Sequence, residues 1–148
     1  MFGGRAARVF GFIIVTLVGL FEAWNLRFVQ DDAYISWRYA DNLARGWGLV
    51  WNEGERVEGY TNFLWTVILA IPHMVGRDVE MFATVLGLAL FVVTLAIFYA
   101  LAGTLTQSWL AAGMATLTLG LFPSFAAFAT PARSGGWREI RCWSRPGR

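Results

Sequence analysis

The chain has 148 residues, 57% of them hydrophobic and 15% charged, with a mean hydropathy of +0.51, a balance that excludes an ordinary soluble domain. A net charge of only +2, with no basic stripe and no recognisable nucleic-acid module, argues against a nucleic-acid partner. All twelve basic residues are arginines, and the one cysteine, Cys142, excludes an internal disulfide.

The first element is an apolar run over residues 9–26, preceded by Arg5 and Arg8 and carrying Glu22 and Asn25 near its end. It is long enough for a transmembrane helix. The run continues through bulky Phe21 and Trp24 with no small-residue cleavage site, so it reads as an uncleaved anchor and not as a signal peptide. Basic flanks stay in the cytoplasm, which predicts a cytoplasmic N-terminus and an extracytoplasmic loop over residues 27–62. From Arg27 to Glu58 that loop sets four arginines against six acids, a net of −2, as an outside loop permits.

Asp31 and Asp32 open the loop's polar, aromatic-rich segment, and either is a good helix N-cap. From Ala33 to Arg45 the spacing predicts a short amphipathic helix. Ile35, Tyr39 and Leu43 fall at i, i+4 and i+8 and are expected to face the membrane helices, with Arg38, Asp41, Asn42 and Arg45 on the other side. Asp41 and Arg45 are spaced to pair, Gly46 supplies the C′ position, and Tyr34, Trp37, Tyr39 and Trp47 suit the headgroup region. Asn52-Glu53-Gly54 then predicts a tight turn, followed by an extended return to the membrane through Glu58-Gly59-Tyr60-Thr61-Asn62. Gly59 lets backbone approach a ligand closely. Arg56, Tyr60 and Asn62 are donors suited to a phosphate or to sugar hydroxyls, and with Glu58 they form the candidate substrate-binding strip.

Residues 63–75 are apolar but short for a crossing and contain Pro72 and His73, so they read as a tilted, partly inserted or re-entrant helix. Residues 81–103 form the firmest span, and 109–129 another, interrupted late by Pro123. The predicted fold class is an all-α membrane protein with three or four transmembrane helices and an extracytoplasmic first loop that contains a short amphipathic helix. After Thr130 the chain turns into an arginine-rich tail, residues 131–148, with a net charge of +4 and no hydrophobic periodicity. It reads as a disordered cytoplasmic tail or as the product of a changed reading frame.

Each candidate has an ordinary alternative: the aspartates as caps, the aromatics as interface anchors, Arg56 as the partner of Glu55 or Glu58, and His73 as a packing residue instead of a metal ligand. The block from Asp31 to Trp65 goes further, with Asp-Asp-Ala-Tyr-Ile-Ser, Gly-Leu-Val-Trp-Asn and Gly-Glu-Arg-Val-Glu-Gly-Tyr-Thr-Asn-Phe-Leu-Trp in order. It resembles the first extracytoplasmic loop of GT-C fold membrane glycosyltransferases, a glycosyltransferase family 39-like group. Within that group it is most similar to bacterial relatives of the mycobacterial terminal arabinofuranosyltransferase.

The resemblance implies transfer of a sugar from a polyprenyl-phosphate donor to an envelope glycan, lipid or protein acceptor, outside the cytoplasmic membrane of a bacterium. It assigns Asp31 to the reaction centre with Asp32 beside it, where a carboxylate takes the acceptor hydroxyl's proton. Arg56 is the nearest cation for the donor phosphate. No cofactor is firmly implied; some relatives use a divalent cation, which Asp31 and Asp32 would hold. Members of the group are several times longer, so residues 1–130 are expected to be the N-terminal part of a larger multi-spanning domain, without turnover alone. A small membrane scaffold, in which no concave polar site forms beside the bilayer, and a piece of a transporter are the rival readings.

Overall fold

The computed structural model describes residues 4–26, 31–55 and 57–130, with Asp31 and Asp32 described by their backbone. Arg27, Arg56 and the tail from Pro131, with Cys142, lie outside the described residues. Among the described residues six helices follow in order: α1 (Arg5–Asn25), α2 (Asp31–Ala44), α3 (Phe63–Met74), α4 (Val79–Thr106), α5 (Trp109–Gly120) and α6 (Pro123–Phe128). The protein is an all-α membrane protein, as its composition requires.

Helices α1 and α4 are each long and apolar enough to cross a bilayer. At 1.5 Å per residue they reach about 30 Å and about 40 Å, against a hydrocarbon core of about 30 Å. Their outward positions, among them Phe10, Leu17, Phe21, Ile97 and Leu105, stay exposed in the monomer, as a lipid-facing surface must. The span expected over 109–129 is divided. α5 ends at Gly120, Phe122 precedes Pro123 at the first position of α6, and the proline cannot supply the amide that would continue the helix.

The helices α1 and α4 run antiparallel. Tyr99, late in α4, donates to the carbonyl of Arg8 at 3.2 Å, while Phe91 and Leu95 flank Gly19 further along α1. The α4–α5 connection is tight, with Gln107 in the left-handed region (φ 54°) and Ser108 capping α5 through the amide of Ala111. α5 and α6 therefore run parallel to α1, and Thr130 donates to the carbonyl of Ala23 at 3.1 Å. Close approach is allowed by small residues: a Cβ at Gly120 would lie 3.6 Å from the Cα of Gly19.

This topology resolves the short apolar helix. The end of α1 and the start of α4 share one side of the bundle, and α3, which lies between them in sequence, packs at that end. Thr130, beside the carbonyl of Ala23, also lies there. α1, α4 and the α5–α6 pair thus run along the length of the bundle. α3 is closed by a left-handed glycine: Gly76 has φ 65° and Arg77 donates back to the carbonyl of Pro72 at 2.8 Å. Asp78 then starts α4 by accepting from the amide of Met81 at 2.9 Å.

The amphipathic helix forms two residues earlier than its apolar pattern indicates, with both aspartates inside its first turn, where the helix dipole favours acids. Its end is as expected: Gly46 has φ 85° and Trp47 donates to the carbonyl of Asn42. Its buried face differs. Trp37 and Ala40 are fully buried against Leu69 and Ala70 of α3 and Val79 and Ala83 of α4, with Ala33, Tyr34 and Leu43 at the margin. Trp37 is thus a core residue and not a headgroup anchor, and Ile35 is only half-buried. Tyr39 is buried as expected, but the loop after α2 covers it, not the membrane helices.

A second apolar cluster lies deeper, where Phe91 and Leu95 meet Ala23, Ala126 and Ala129, and Phe91 stacks on Phe125 at 4.9 Å. Helix α4 passes through both clusters and sets the distance between them. The gap left there is the site.

Candidate active site

The loop after α2 is built onto that helix by hydrogen bonds from two buried side chains. Asn42 donates from Nδ2 to the carbonyls of Val50 and Trp51, at 2.7 and 2.9 Å. The Tyr39 hydroxyl donates to the carbonyl of Val57 at 2.7 Å and accepts from the amide of Gly59 at 3.0 Å. Carbonyls that a loop would otherwise leave unpaired on a buried surface thereby find donors. Gly54, with φ 85°, and the bond from Glu55 N to the carbonyl of Asn52 form the expected turn. Tyr60 meets Tyr39 edge-on at 5.0 Å and Phe63 at 6.2 Å, and Arg38 reaches the carbonyl of Trp51 while lying over its ring.

Asn62 stands where this strip enters α3. Its Oδ1 accepts from Ser36 Oγ at 2.9 Å and from Thr66 Oγ1 at 3.3 Å, tying the middle of α2 to the first turn of α3. Asp41 adds a second tie, pairing with Arg45 at 2.7 Å, the pair expected from spacing, and lying 3.7 Å from Nδ1 of His73. His73 is therefore a contact between α2 and α3.

Between these ties and α4 and α6 lies a cavity of about 500 Å³, open to the surface. Ser36, Thr61 and Asn62 make its polar side. Leu90, Phe91, Phe125 and Phe128 make its apolar side, with Thr94 of α4 among them. Ala33 and Ser36 bring α2 to the wall within two turns of Asp31 and Asp32.

Of the candidate residues, Asn62 lines the cavity. Tyr60 packs beside it, in the aromatic strip, and Glu58 is exposed on the loop. Gly59, expected to approach a ligand, instead approaches Tyr39 and borders a separate cavity of about 260 Å³ on the opposite side of α2. Arg56 and the side chains of Asp31 and Asp32 lie outside the described residues, and among the described residues no cluster of three metal-ligating side chains occurs. Ser36 and Thr94 escape sequence reasoning. The helical spacing of Ser36 from Ala33 is the one local signal for the first, and Thr94 sits inside an unbroken apolar run.

The chain is 30% identical over 143 residues to the terminal beta-(1->2)-arabinofuranosyltransferase of Mycobacterium tuberculosis, an alignment covering 84% of this chain and 22% of that protein. It is 33% identical over 96 residues to the protein of the same name from Corynebacterium glutamicum, covering 63% of this chain and 14% of the relative. The chain thus spans less than a quarter of the length of the curated relatives it matches. No family model and no solved structure matches it. The chain is a partial homologue of the terminal arabinofuranosyltransferases.

Proposed function

We propose that residues 4–130 form the donor-side, membrane-surface part of a GT-C glycosyltransferase that takes a sugar from a polyprenyl-phosphate donor on the extracytoplasmic face and passes it to a cell-envelope acceptor. The observation that carries this reading is the cavity. The same block that resembles the first loop of that class supplies its polar side, Ser36, Thr61 and Asn62, and the apolar helices supply its apolar side. A phosphosugar has use for the first and a prenyl chain for the second. An arabinofuranosyl unit is the sugar that the relatives' names suggest.

In this reading Asp31 is the general base toward the acceptor hydroxyl, and Asp32 assists or shares a divalent cation with it. Glu58, Tyr60 and Asn62 border the donor, with Arg56 toward its phosphate. The scaffold alternative expects no concave polar site at the bilayer, and the cavity argues against it.

The test is a chimera in which this segment replaces the aligned part of the Mycobacterium tuberculosis relative. Transfer from a polyprenyl-phosphate arabinose donor, lost on Asp31→Asn with membrane insertion intact, is the expected result. A chimera as active with Asp31→Asn as without it rules out the assignment of the base.

A further inference from the structure

The bundle end opposite the loop carries a second built feature. Arg8, Gln107, Thr104 and Trp109 surround a cavity of about 410 Å³ at the α4–α5 turn. Tyr99 fixes its wall by donating to the carbonyl of Arg8 at 3.2 Å, and Gln107 is held by donation from Nε2 to the carbonyl of Thr104 at 2.7 Å. Tyr99 and Trp109 also line a second, apolar groove of about 240 Å³ that continues between α1 and α5 past Ile14, Gly113 and Leu117. Polar pocket and apolar groove thus adjoin at Tyr99 and Trp109 and together mark a path from the bundle end along α1 and α5.

Charge at this end has one sign. Every acid between Gly4 and Thr130 falls from Glu22 to Glu80, and the topology carries all of them to the loop end. Arg5 and Arg8 stand alone at the other, and among the described residues no carboxylate lies within ion-pair range of Arg8. A cation beside a headgroup-sized pocket, continued by a chain-wide groove, is complementary to a single amphiphile of negative head charge.

We propose that this path is a binding site for an anionic phospholipid of the leaflet at the Arg5–Arg8 end, with its phosphate at Arg8 and one acyl chain along the groove beside Gly113. A diester phosphate accepts from the guanidinium and from the Gln107 and Trp109 side-chain N–H groups. The apolar groove takes the chain that a free phosphate lacks. The site is independent of the transferase reading, because it lies at the opposite end of the bundle from Asn62 and Ser36.

Native mass spectrometry of the purified chain from mixed micelles, holding equal phosphatidylglycerol and phosphatidylcholine of identical acyl chains, tests it. Retention of phosphatidylglycerol is expected to exceed that of phosphatidylcholine by about fivefold, the factor that one surface cation supplies. Arg8→Gln should bring the two to parity, and Arg8→Lys should keep most of the preference. Gly113→Leu should reduce retention of both lipids severalfold: a Cβ at Gly113 meets no atom within 4 Å, so the new side chain occupies the groove without distorting the helices. Equal retention of the two lipids by the unaltered chain overturns the proposal. So does an Arg8→Gln variant with undiminished preference, or a Gly113→Leu variant with undiminished retention. Displacement of the lipid by inorganic phosphate would reduce the feature to a free-anion site and reject the phospholipid.

Discussion

The backbone amide of Gly59 donates to the hydroxyl of Tyr39 at 3.0 Å, and a Cβ built at Gly59 would stand 2.8 Å from that same oxygen. Tyr39 is buried and its hydroxyl is also committed to Val57, so the phenol has little freedom to withdraw. Gly59→Ala is expected to destabilise the protein by about 1–3 kcal/mol, the usual cost of overpacking. Tyr39→Phe alone should cost about 1 kcal/mol through its lost hydrogen bonds, yet the double variant should fall short of the sum, because removing the oxygen removes the clash. Thermal unfolding of the four proteins in detergent reads this coupling, and strict additivity would show that the two residues act separately.

Asn42 holds the opposite shoulder of the loop. It is 1% exposed and its Nδ2 serves both Val50 and Trp51. Asn42→Ala leaves the Val50 carbonyl without its donor and the Trp51 carbonyl with only the longer bond from Arg38, at about 1–3 kcal/mol. Limited proteolysis should then cut between Gly46 and Glu55 much faster than in the unaltered chain, while α1 and α4 remain protected. Unchanged cleavage would mean that the loop holds its shape without the clamp.

Helix packing gives a paired prediction at two glycines. A Cβ at Gly19 meets Phe91 at 3.2 Å and Leu95 at 3.4 Å, and Phe91 is itself pinned against Phe125. Gly19→Ala is expected to lower stability by about 1 kcal/mol, and Gly19→Leu to part α1 from α4 and α5. Gly113→Ala, into open space, should be neutral or stabilise by up to about 1 kcal/mol through helix propensity. Melting temperatures in the opposite order would contradict the α1–α4–α5 packing.

Topology is tested with single cysteines in a Cys142→Ser background, labelled in intact cells by a membrane-impermeant maleimide. Asn52→Cys and Arg77→Cys are expected to label together, and Gly4→Cys only after permeabilisation. If Asn52 and Arg77 react from opposite sides, α3 crosses the bilayer and the antiparallel arrangement is wrong. If Gly4 alone reacts in intact cells, the arrangement stands and the proposed orientation is inverted.

In the active chimera, Asp31→Asn is expected to slow sugar transfer by about 100- to 10,000-fold, the range for loss of a general base. Asp32→Asn should slow it less. Equal losses, together with inhibition by a chelator that added magnesium or manganese relieves, would instead point to the pair as holders of a divalent cation.

Features governed by neighbours in the chain were legible without coordinates. The apolar length of α1 and α4, the left-handed glycines at Gly46 and Gly54, the pairing of Asp41 with Arg45 and the break at Pro123 each depend on a few adjacent residues. Hydrophobic length, steric freedom at glycine and the missing amide of proline act over one or two turns, so sequence alone determines them.

The antiparallel packing of α1 and α4 decided the rest. It keeps α3 at the loop end of the bundle, packed on α2 and the start of α4. The faces of α2 were unreadable because two partners compete for them: α3 and α4 take Trp37 and Ala40, and the returning loop takes Tyr39 through Val57 and Gly59. Helical periodicity tells which residues share a face, not which surface will cover it. The cavity has the same origin. Ser36, Asn62, Thr94 and Phe125 are far apart in the chain, and they meet only because α4 spans both apolar clusters and holds α2 and α6 at opposite sides of one gap.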